Sequence, residues 1–299
     1  MNKLVLEYKI KVEDVDKKFV QILKNKLNLS TRLLIKLKNK TAIIFKEKAL
    51  YVNNVITKED VDYIVYVNLY EVDLEEKEKI DEILENVIDD KIDILYEDIG
   101  YICVNKKSNV AIHPCSNHRN NTMLERVQKY MYSKGYKNKI HVVNRLDRET
   151  SGVCIFAKHA YYQEIANITD KRYIAVVDGI LKKNGVIEKN IARKEGSIME
   201  RCIDPNGEYA KTEYKVLEKN IEKNYTIVDV KLYTGRTHQI RVHFQSIGHS
   251  LLGDGLYNLK EDYNKYINRV ALHSRKIVFN GIDVNANLPE DMKKLMKEG

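Results

Sequence analysis

The sequence predicts an α+β protein that is dominated by a β-sheet and preceded by a small N-terminal unit. From residue 94 onward, many short segments alternate between apolar and polar residues, which is typical of half-buried strands. Helical spacing of apolar residues interrupts them near residues 121–134 and 159–168. Before residue 70 the pattern is a strand, two helices and further short strands. At 299 residues, the chain is long enough for about two such units.

The N-terminal unit is assigned to residues 1–70 and predicted to be a small α/β domain. Residues 4–12 alternate and predict a strand, and residues 16–28 place four apolar side chains on one helical face. Ser30 is a favourable N-cap for a second helix, whose three leucines face inward. Strand-like pieces follow at "TAIIF", "ALYVN" and "VDYIVYVN".

One face of this unit is strongly basic. Between Lys17 and Lys48 there are ten lysines and arginines and a single acid, Glu47. Such a face fits a polyanion, so Arg32 and Lys36 on the second helix are candidate RNA contacts. An ordinary solvated helical face would show the same pattern, and the residues alone do not separate the two interpretations.

An acidic segment separates the two units. Residues 71–93 are predicted to be a linker, and the part from 73 to 93 holds ten acids and three lysines, a net charge of −7. The whole chain is +8, so the remainder carries +15. This excess favours a nucleic-acid partner, although an AT-biased genome would also enrich lysine.

The larger unit is assigned to residues 94–299. Besides the opening stretch from residue 94, its predicted strands are 140–146, 153–157, 172–178, 225–232, 238–244 and 276–279.

Several classes of protein are excluded by what the sequence lacks. The four cysteines are far apart and show no CxxC pairing, which argues against a zinc site or a disulfide framework and favours a reducing cytoplasm. No apolar run reaches membrane-spanning length, and the N-terminus does not resemble a signal peptide. Nucleotide-binding and metalloprotease motifs are also missing, and the eight histidines lack metal-ligand spacing, so the sequence does not predict those machineries.

The stretch "HVVNRLDRETSGVCIFAK" places Asp147 between Arg145 and Arg148 at the end of a predicted strand. Neighbouring guanidinium groups keep a carboxylate ionised, and an ionised carboxylate in a partly dry pocket is a nucleophile. Glu149 lies two residues away and points elsewhere, so a pair of cooperating carboxylates is not expected. A solvated turn with incidental ion pairs is the alternative.

Five stretches in order resemble the RluA-type pseudouridine synthases, which isomerise uridine to pseudouridine in RNA. The signature RLDxxTSG is matched by "NRLDRETSG", although Asn144 replaces the usual histidine. The other four are "ILYEDIGYICVNKKSNVAIHPCSNH", "KRYIAVVDG", "LYTGRTHQIRVHFQSIGHSLLGDGLY" and "RVALHSRKIVF". They cover roughly residues 94–281. The resemblance implies the pseudouridine synthase fold, with a mixed, mostly antiparallel central sheet flanked by helices and loops. The N-terminal unit is similar to the RNA-binding domain named for small-subunit ribosomal protein four.

The resemblance also implies roles for particular residues. Asp147 is the nucleophile, and Arg145 fills the stack that the flipped uridine leaves. Tyr173 packs on the uracil, and Arg241 is the partner of the catalytic aspartate. The remaining implied contacts are two apolar walls, Ile240 and Leu272, and a phosphate contact, Arg236.

The implied function is the isomerisation of specific uridines in RNA, most simply large-subunit ribosomal RNA, by a cytoplasmic monomer without a small-molecule cofactor. Transfer RNA is an alternative substrate. A catalytically silent RNA-binding or ribosome-assembly protein on the same fold is an alternative of another class, and an aspartate-dependent glycosidase is a third.

Overall fold

The computed structural model describes residues 5–39, 41–69, 87, 91–114, 120–136 and 138–297. Most of the predicted acidic linker, 71–93, therefore lies outside the described residues. Within these ranges no helix has both the length and the apolar character that a membrane span requires.

The N-terminal unit has a four-stranded antiparallel sheet with two helices. Its strands are β1 (Val5–Lys9), β2 (Ile43–Phe45), β3 (Lys48–Ala49) and β4 (Ile64–Asn68), in the order β1-β4-β2-β3, and its helices are α1 (Phe19–Asn25) and α2 (Thr31–Asn39). Ser30 caps α2 as predicted, because its Oγ accepts a hydrogen bond from the Leu33 amide at 3.1 Å. The inward faces of both helices bury a separate core, in which Tyr161 of the larger unit also takes part.

The larger unit is built on a ten-stranded mixed sheet in which the pairing of β15 with β8 is parallel and the other pairings are antiparallel. Its strands are β5 (Ile94–Glu97), β6 (Tyr101–Lys106), β7 (His141–Val142), β8 (Ser151–Ala157), β9 (Ile168–Asp178), β10 (Gly185–Glu188), β13 (Lys211–Asn220), β14 (Tyr225–Leu232), β15 (Leu272–Phe279) and β16 (Ile282–Asn285). The main path runs β10-β13-β14-β9-β15-β8-β6-β5. A separate hairpin pairs β11 (Ile191–Arg193) with β12 (Arg201–Ile203). The predicted α+β class with a mixed, mostly antiparallel sheet is confirmed.

Four helices accompany this sheet in the described ranges: α3 (Met123–Ser133), α4 (Ala160–Ile165), α5 (Gln239–Gln245) and α6 (Glu290–Lys297). The first two match the predicted helices near 121–134 and 159–168. Thr122 and Glu125 form a capping box at the start of α3, since each side chain accepts a hydrogen bond from the other's backbone amide. Side chains from both faces of the central strands form the main cores.

One predicted strand is wrong, and another is shorter than predicted. The predicted strand 238–244 falls on helix α5. Its alternating pattern was misleading because the polar side chains Gln239, Arg241 and His243 are buried and hydrogen-bonded to partners outside the helix instead of facing water. Residues 140–146 pair only over His141–Val142. Beyond Val142, the Asn144 side chain bonds to the backbone of β8 in place of strand pairing. Its Oδ1 accepts a hydrogen bond from the Ile155 amide at 2.6 Å, and its Nδ2 donates one to the Val153 carbonyl at 3.2 Å.

Candidate active site

A cavity of about 300 Å³ lies beside the loop that joins β7 to β8. The walls come from that loop, from β9, from the segment leading into α5 and from the start of β15. Among the lining residues are Arg145, Asp147, Tyr173, Arg236, Ile240, Arg241 and Leu272. Arg32 and Lys36 are not among them, because they lie on α2 in the N-terminal unit.

The loop that bears Asp147 is tied down by a buried lysine. The Thr150 amide donates to the Asp147 carbonyl at 3.1 Å and closes a tight turn. Lys106, at the end of β6, is fully buried, and its Nζ donates to the carbonyls of Lys107, Val110 and Arg148 at 2.8–3.0 Å. Burial lowers the pKa of Lys106 to about 8. The turn therefore cannot move without breaking hydrogen bonds in a dry environment.

The strand that follows the turn is fixed against β15. Gly152 has φ +111°, and a Cβ at this position would lie 2.2 Å from the Ser274 carbonyl oxygen. Only glycine fits this close parallel pairing. Beside it, the buried Ser151 hydroxyl contacts His273 Nδ1 at 2.9 Å. The turn at Asp147 is thus held from both sides of β8.

Arg241 reaches Asp147 from helix α5, but its closest partner is another acid. Its guanidinium donates two hydrogen bonds to the buried Asp254, at 2.7 and 2.8 Å, and Nη1 lies 3.5 Å from Asp147 Oδ2. Burial alone would lower the pKa of Arg241, but the hydrogen bonds and charge of Asp254, together with the charge of Asp147, raise it. Asp254 therefore orients a permanent positive charge toward Asp147.

His238 is a second group beside Asp147, and the sequence interpretation assigned no role to it. Its Nε2 lies 3.8 Å from Asp147 Oδ2, and its Nδ1 contacts the Tyr257 hydroxyl at 2.8 Å. His238 has φ 56° and ψ 19°, a left-handed conformation that costs a residue with a side chain about 1–2 kcal/mol. Burial lowers the pKa of His238, with Arg241 acting in the same direction and Asp147 against it. The imidazole is therefore neutral near pH 7.

The floor and walls of the cavity are mostly apolar. Ile240 and Leu272 are each 4% exposed, and Tyr173 is 6% exposed. Burial raises the pKa of Tyr173, so its hydroxyl keeps its proton. Lys171 also lines the cavity, and burial lowers its pKa. The result is a space with a flat aromatic ring, two aliphatic side chains and a few polar groups, which suits a planar ring with polar edges.

Two arginines lie at more exposed positions of the cavity. Arg145 is exposed on the Asp147 loop. Arg236 pairs with Glu208, and its Nε donates to the Tyr209 carbonyl at 3.0 Å. Both guanidinium groups therefore place positive charge at the cavity.

Glu149 points away from the cavity. Its carboxylate contacts Arg148 Nη2 at 3.2 Å and the Val270 amide at 3.4 Å, and it is not among the lining residues. The arrangement expected of a two-carboxylate glycosidase is therefore not formed by Asp147 and Glu149.

The sequence interpretation assigned no role to His238 or Asp254, although both lie in the fourth of the resembling stretches along the chain. Asp254 stands in "GHSLLGDGLY" and His238 in "TGRTHQIR". No local pattern marked Asp254 as the partner of Arg241, because its burial is a property of the folded chain. The His238 contact had no local signal either, because it depends on the helix that was predicted as a strand.

Comparison with known proteins identifies the family. The family model described as RNA pseudouridylate synthase matches residues 100–246. An RNA pseudouridine synthase of Bacillus subtilis, YhcT, is 36% identical over 220 residues, which are 69% of this chain and 72% of the relative. Ribosomal large subunit pseudouridine synthase D of Zymomonas mobilis is 31% identical over 230 residues, 69% of this chain and 72% of the relative.

The fold agrees with these relatives. The structure of human RNA pseudouridylate synthase domain containing 1 superposes with a TM-score of 0.55 at 22% identity, covering 67% of this chain and 84% of that one. Human RNA pseudouridylate synthase domain containing 4 gives a TM-score of 0.54 at 19% identity, with 75% and 96% covered. The chain thus covers 72% of the length of each of two curated relatives, at 36% and 31% identity. It belongs to the RNA pseudouridine synthases of the RluA type, enzymes that isomerise uridine to pseudouridine in RNA.

Proposed function

We propose that this enzyme modifies specific uridines of large-subunit ribosomal RNA and that Asp147 is its nucleophile. The observation that carries the second part is the position of the Asp147 carboxylate, which lines the cavity, is 30% exposed and lies 3.5 Å from a pinned guanidinium. A volume of about 300 Å³ is at the lower end of small-molecule pockets, as suits one nucleoside.

The isomerisation needs three events at one site. The bond between the anomeric carbon and ring nitrogen one breaks, the uracil turns, and a bond forms between the anomeric carbon and ring carbon five. Ring carbon five loses its proton in this step, and nitrogen one gains a proton. The Asp147 carboxylate attacks either the anomeric carbon of the sugar or ring carbon six of the uracil. Arg241 orients that carboxylate for attack, since its Nη1 lies 3.5 Å from Asp147 Oδ2. No cofactor and no metal take part in this scheme.

A uridine in folded RNA must leave its stack before it can enter the cavity, which costs a few kcal/mol. Stacking of the uracil on Tyr173 offsets part of this cost, because a base on an aromatic ring usually contributes about 1–3 kcal/mol of binding free energy. Ile240 and Leu272 enclose the base from other sides, and Arg145 takes the vacated position in the stack. Each of these side chains lines the cavity.

The N-terminal unit, residues 1–70, supplies additional RNA binding and is similar to the domain named for small-subunit ribosomal protein four. Arg32 and Lys36 are four residues apart on α2 and so share one of its faces. These residues and Arg236 contact phosphates in this scheme. The catalytic domain spans 94–299, and the enzyme acts as a cytoplasmic monomer.

The choice of ribosomal RNA is supported by relatives from several bacteria that are named ribosomal large subunit pseudouridine synthase D, at 31–36% identity. The test is incubation of the purified chain with transcripts of large-subunit ribosomal RNA and of transfer RNA that carry tritium at ring carbon five of uracil. Tritium release from the ribosomal transcript alone supports the proposal, and release from transfer RNA alone overturns it. Mapping of pseudouridine in total RNA, with and without the gene, then gives the modified positions.

A further inference from the structure

The hydrogen bonds around Tyr257 determine which nitrogen of His238 carries the proton. The Arg201 amide lies 2.8 Å from the Tyr257 hydroxyl and can only donate to it. Burial raises the pKa of Tyr257, so the hydroxyl keeps its proton. Within the described residues its other hydrogen-bond contact is His238 Nδ1, at 2.8 Å. The hydroxyl proton therefore goes to Nδ1, and the neutral imidazole carries its own proton on Nε2.

That Nε2–H lies beside the carboxylate. Nε2 is 3.8 Å from Asp147 Oδ2, and Arg241 Nη1 is 3.5 Å from the same oxygen. Both distances exceed a good hydrogen bond, but such contacts are often long in unliganded active sites and shorten when substrate binds. The charged groups that act on His238 are Asp147, Arg241, Asp254 and Arg201.

The two groups that approach Asp147, His238 and Arg241, are held by the same neighbouring residues, Asp254 and Tyr257. Asp254 accepts both hydrogen bonds from Arg241, and its Oδ1 also accepts from the Tyr257 amide at 3.1 Å. The Arg241 guanidinium lies 4.9 Å from the centre of the Tyr257 ring. Tyr257 thus contacts both groups that approach Asp147, and the left-handed backbone of His238 brings its ring into this position.

We propose that His238 is a positioning residue for Asp147: its Nε2–H, directed by the Tyr257 hydroxyl, holds Oδ2 together with Arg241 and leaves Oδ1 for the substrate. This inference rests on the proposed role of Asp147 as nucleophile. A neutral donor orients the carboxylate without adding a second full positive charge, which would weaken the nucleophile.

The test compares two substitutions of His238 in single-turnover tritium release from the ribosomal transcript, with enzyme in excess. His238→Leu removes the donor at similar size, and the maximal rate constant should fall about 10²-fold, the usual effect of a misplaced reacting group. His238→Gln retains an N–H donor and should stay within about tenfold of the wild type. The enzyme concentration for half-maximal rate should be unchanged in both.

Two further variants complete the test. Tyr257→Phe removes the hydroxyl that directs the imidazole, and its maximal rate constant should fall about tenfold with the same half-saturating concentration. His249→Gln is the matched control, since His249 contacts the Asp178 carbonyl at 2.7 Å and does not line the cavity. It should match the wild type.

The inference is overturned if His238→Leu reacts at the wild-type rate, if His238→Gln is as slow as His238→Leu, or if Tyr257→Phe has no effect. Melting temperatures identify a variant that fails to fold, and Tyr257→Phe then decides the outcome. Asp147→Asn in the same assay separates the two proposals. Turnover by Asp147→Asn contradicts the nucleophile itself, whereas a dead Asp147→Asn with a fully active His238→Leu contradicts only the positioning role.

Discussion

At the scale of single residues, two side chains approach the same carboxylate oxygen of Asp147. One is the positively charged Arg241, which Asp254 holds in place, and the other is the neutral His238. The surrounding groups are fixed before any substrate enters. Lys106 anchors the turn, and Asp254 anchors Arg241. Such preorganisation favours a reaction that develops charge at one place, because the protein need not reorganise during the step.

Asp147→Asn should keep the fold and the affinity for RNA while pseudouridine formation becomes undetectable. Asparagine is nearly isosteric with aspartate but is not an anionic nucleophile. Loss of an essential covalent group removes more than about 5 kcal/mol of barrier lowering, or nearly four orders of magnitude in rate. A single-turnover tritium-release assay measures the rate, with filter binding as the control for RNA affinity.

Glu149→Gln is the matched comparison, because Glu149 lies two residues away and contacts Arg148 and Val270 outside the cavity. It should cost far less activity. If Glu149→Gln were inactive and Asp147→Asn nearly as fast as the wild type, the assignment of the nucleophile would be wrong.

Arg241→Met should abolish turnover and also destabilise the protein. Asp254 is fully buried, and removing its partner leaves an uncompensated charge, which typically costs about 3–5 kcal/mol. Arg241→Lys keeps the charge but loses the planar fork, so it should restore activity only in part. Denaturant unfolding and single-turnover assays measure the two effects.

Arg236→Met provides the control at the neighbouring arginine. The Arg236 side chain is 39% exposed and pairs with Glu208, so its loss should weaken RNA binding and leave stability nearly unchanged. Full activity in Arg241→Met, combined with a dead Arg236→Met, would assign the pairing role to Arg236.

At the scale of secondary structure, helix α5 shows where sequence reasoning succeeded and where it failed. The motif located Ile240 and Arg241 at the cavity, but the alternation of polar and apolar residues predicted a strand. Gln239 and His243 are buried because they bond to Thr212, and Arg241 is buried because it pairs with Asp254. Partners so far away along the chain do not appear in local periodicity, so the helix and the His238 contact could not be predicted from it.

His273 links β15 to β8 through Ser151 and should make the larger unit sensitive to acid. Burial lowers its pKa from 6.5 to about 4. Between these values the unfolded chain binds a proton that the folded chain does not, so stability is present above pH 6.5 and is lost as the pH falls toward 4. The difference corresponds to about 3 kcal/mol over the whole window.

The measurement is urea unfolding of the wild type and of His273→Gln at pH 7 and at pH 5. The variant has no group that titrates at this position, so its free energy of unfolding should fall less on acidification than that of the wild type. Equal decreases in the two proteins would show that the acid sensitivity arises elsewhere.

At the scale of the whole molecule, the N-terminal unit and the larger sheet pack around different hydrophobic clusters. The N-terminal core gathers side chains from α1, α2 and the four-stranded sheet, and Tyr161 of α4 joins it. The helical spacing predicted both helices of this unit, and its assignment as an RNA-binding domain stays a prediction. Its contact with α4 was not predictable, because Tyr161 lies in a short helix with no local feature that points to a partner.

The basic N-terminal unit should strengthen RNA binding by releasing counterions. Deleting residues 1–70 should weaken the affinity for RNA and flatten its dependence on salt, since each neutralised phosphate adds about 0.7–0.9 to the slope of log K against log salt. The remaining chain should keep its own core. Filter binding across a series of salt concentrations measures the slope, and circular dichroism checks the fold.

A milder pair of variants tests the same prediction without removing a domain. Arg32→Ala with Lys36→Ala removes two cations from one face of α2 and should lower the salt slope by about one for each phosphate that is no longer neutralised. Lys9→Ala is the comparison, because Lys9 lies on β1 and not on α2, with its Nζ 2.8 Å from Asp62. It should change the slope little. If the affinity for RNA and its salt slope were unchanged in both the deletion and the double variant, the RNA-binding role of the N-terminal unit would be contradicted. All counterions released on binding would then come from phosphates that the catalytic domain neutralises.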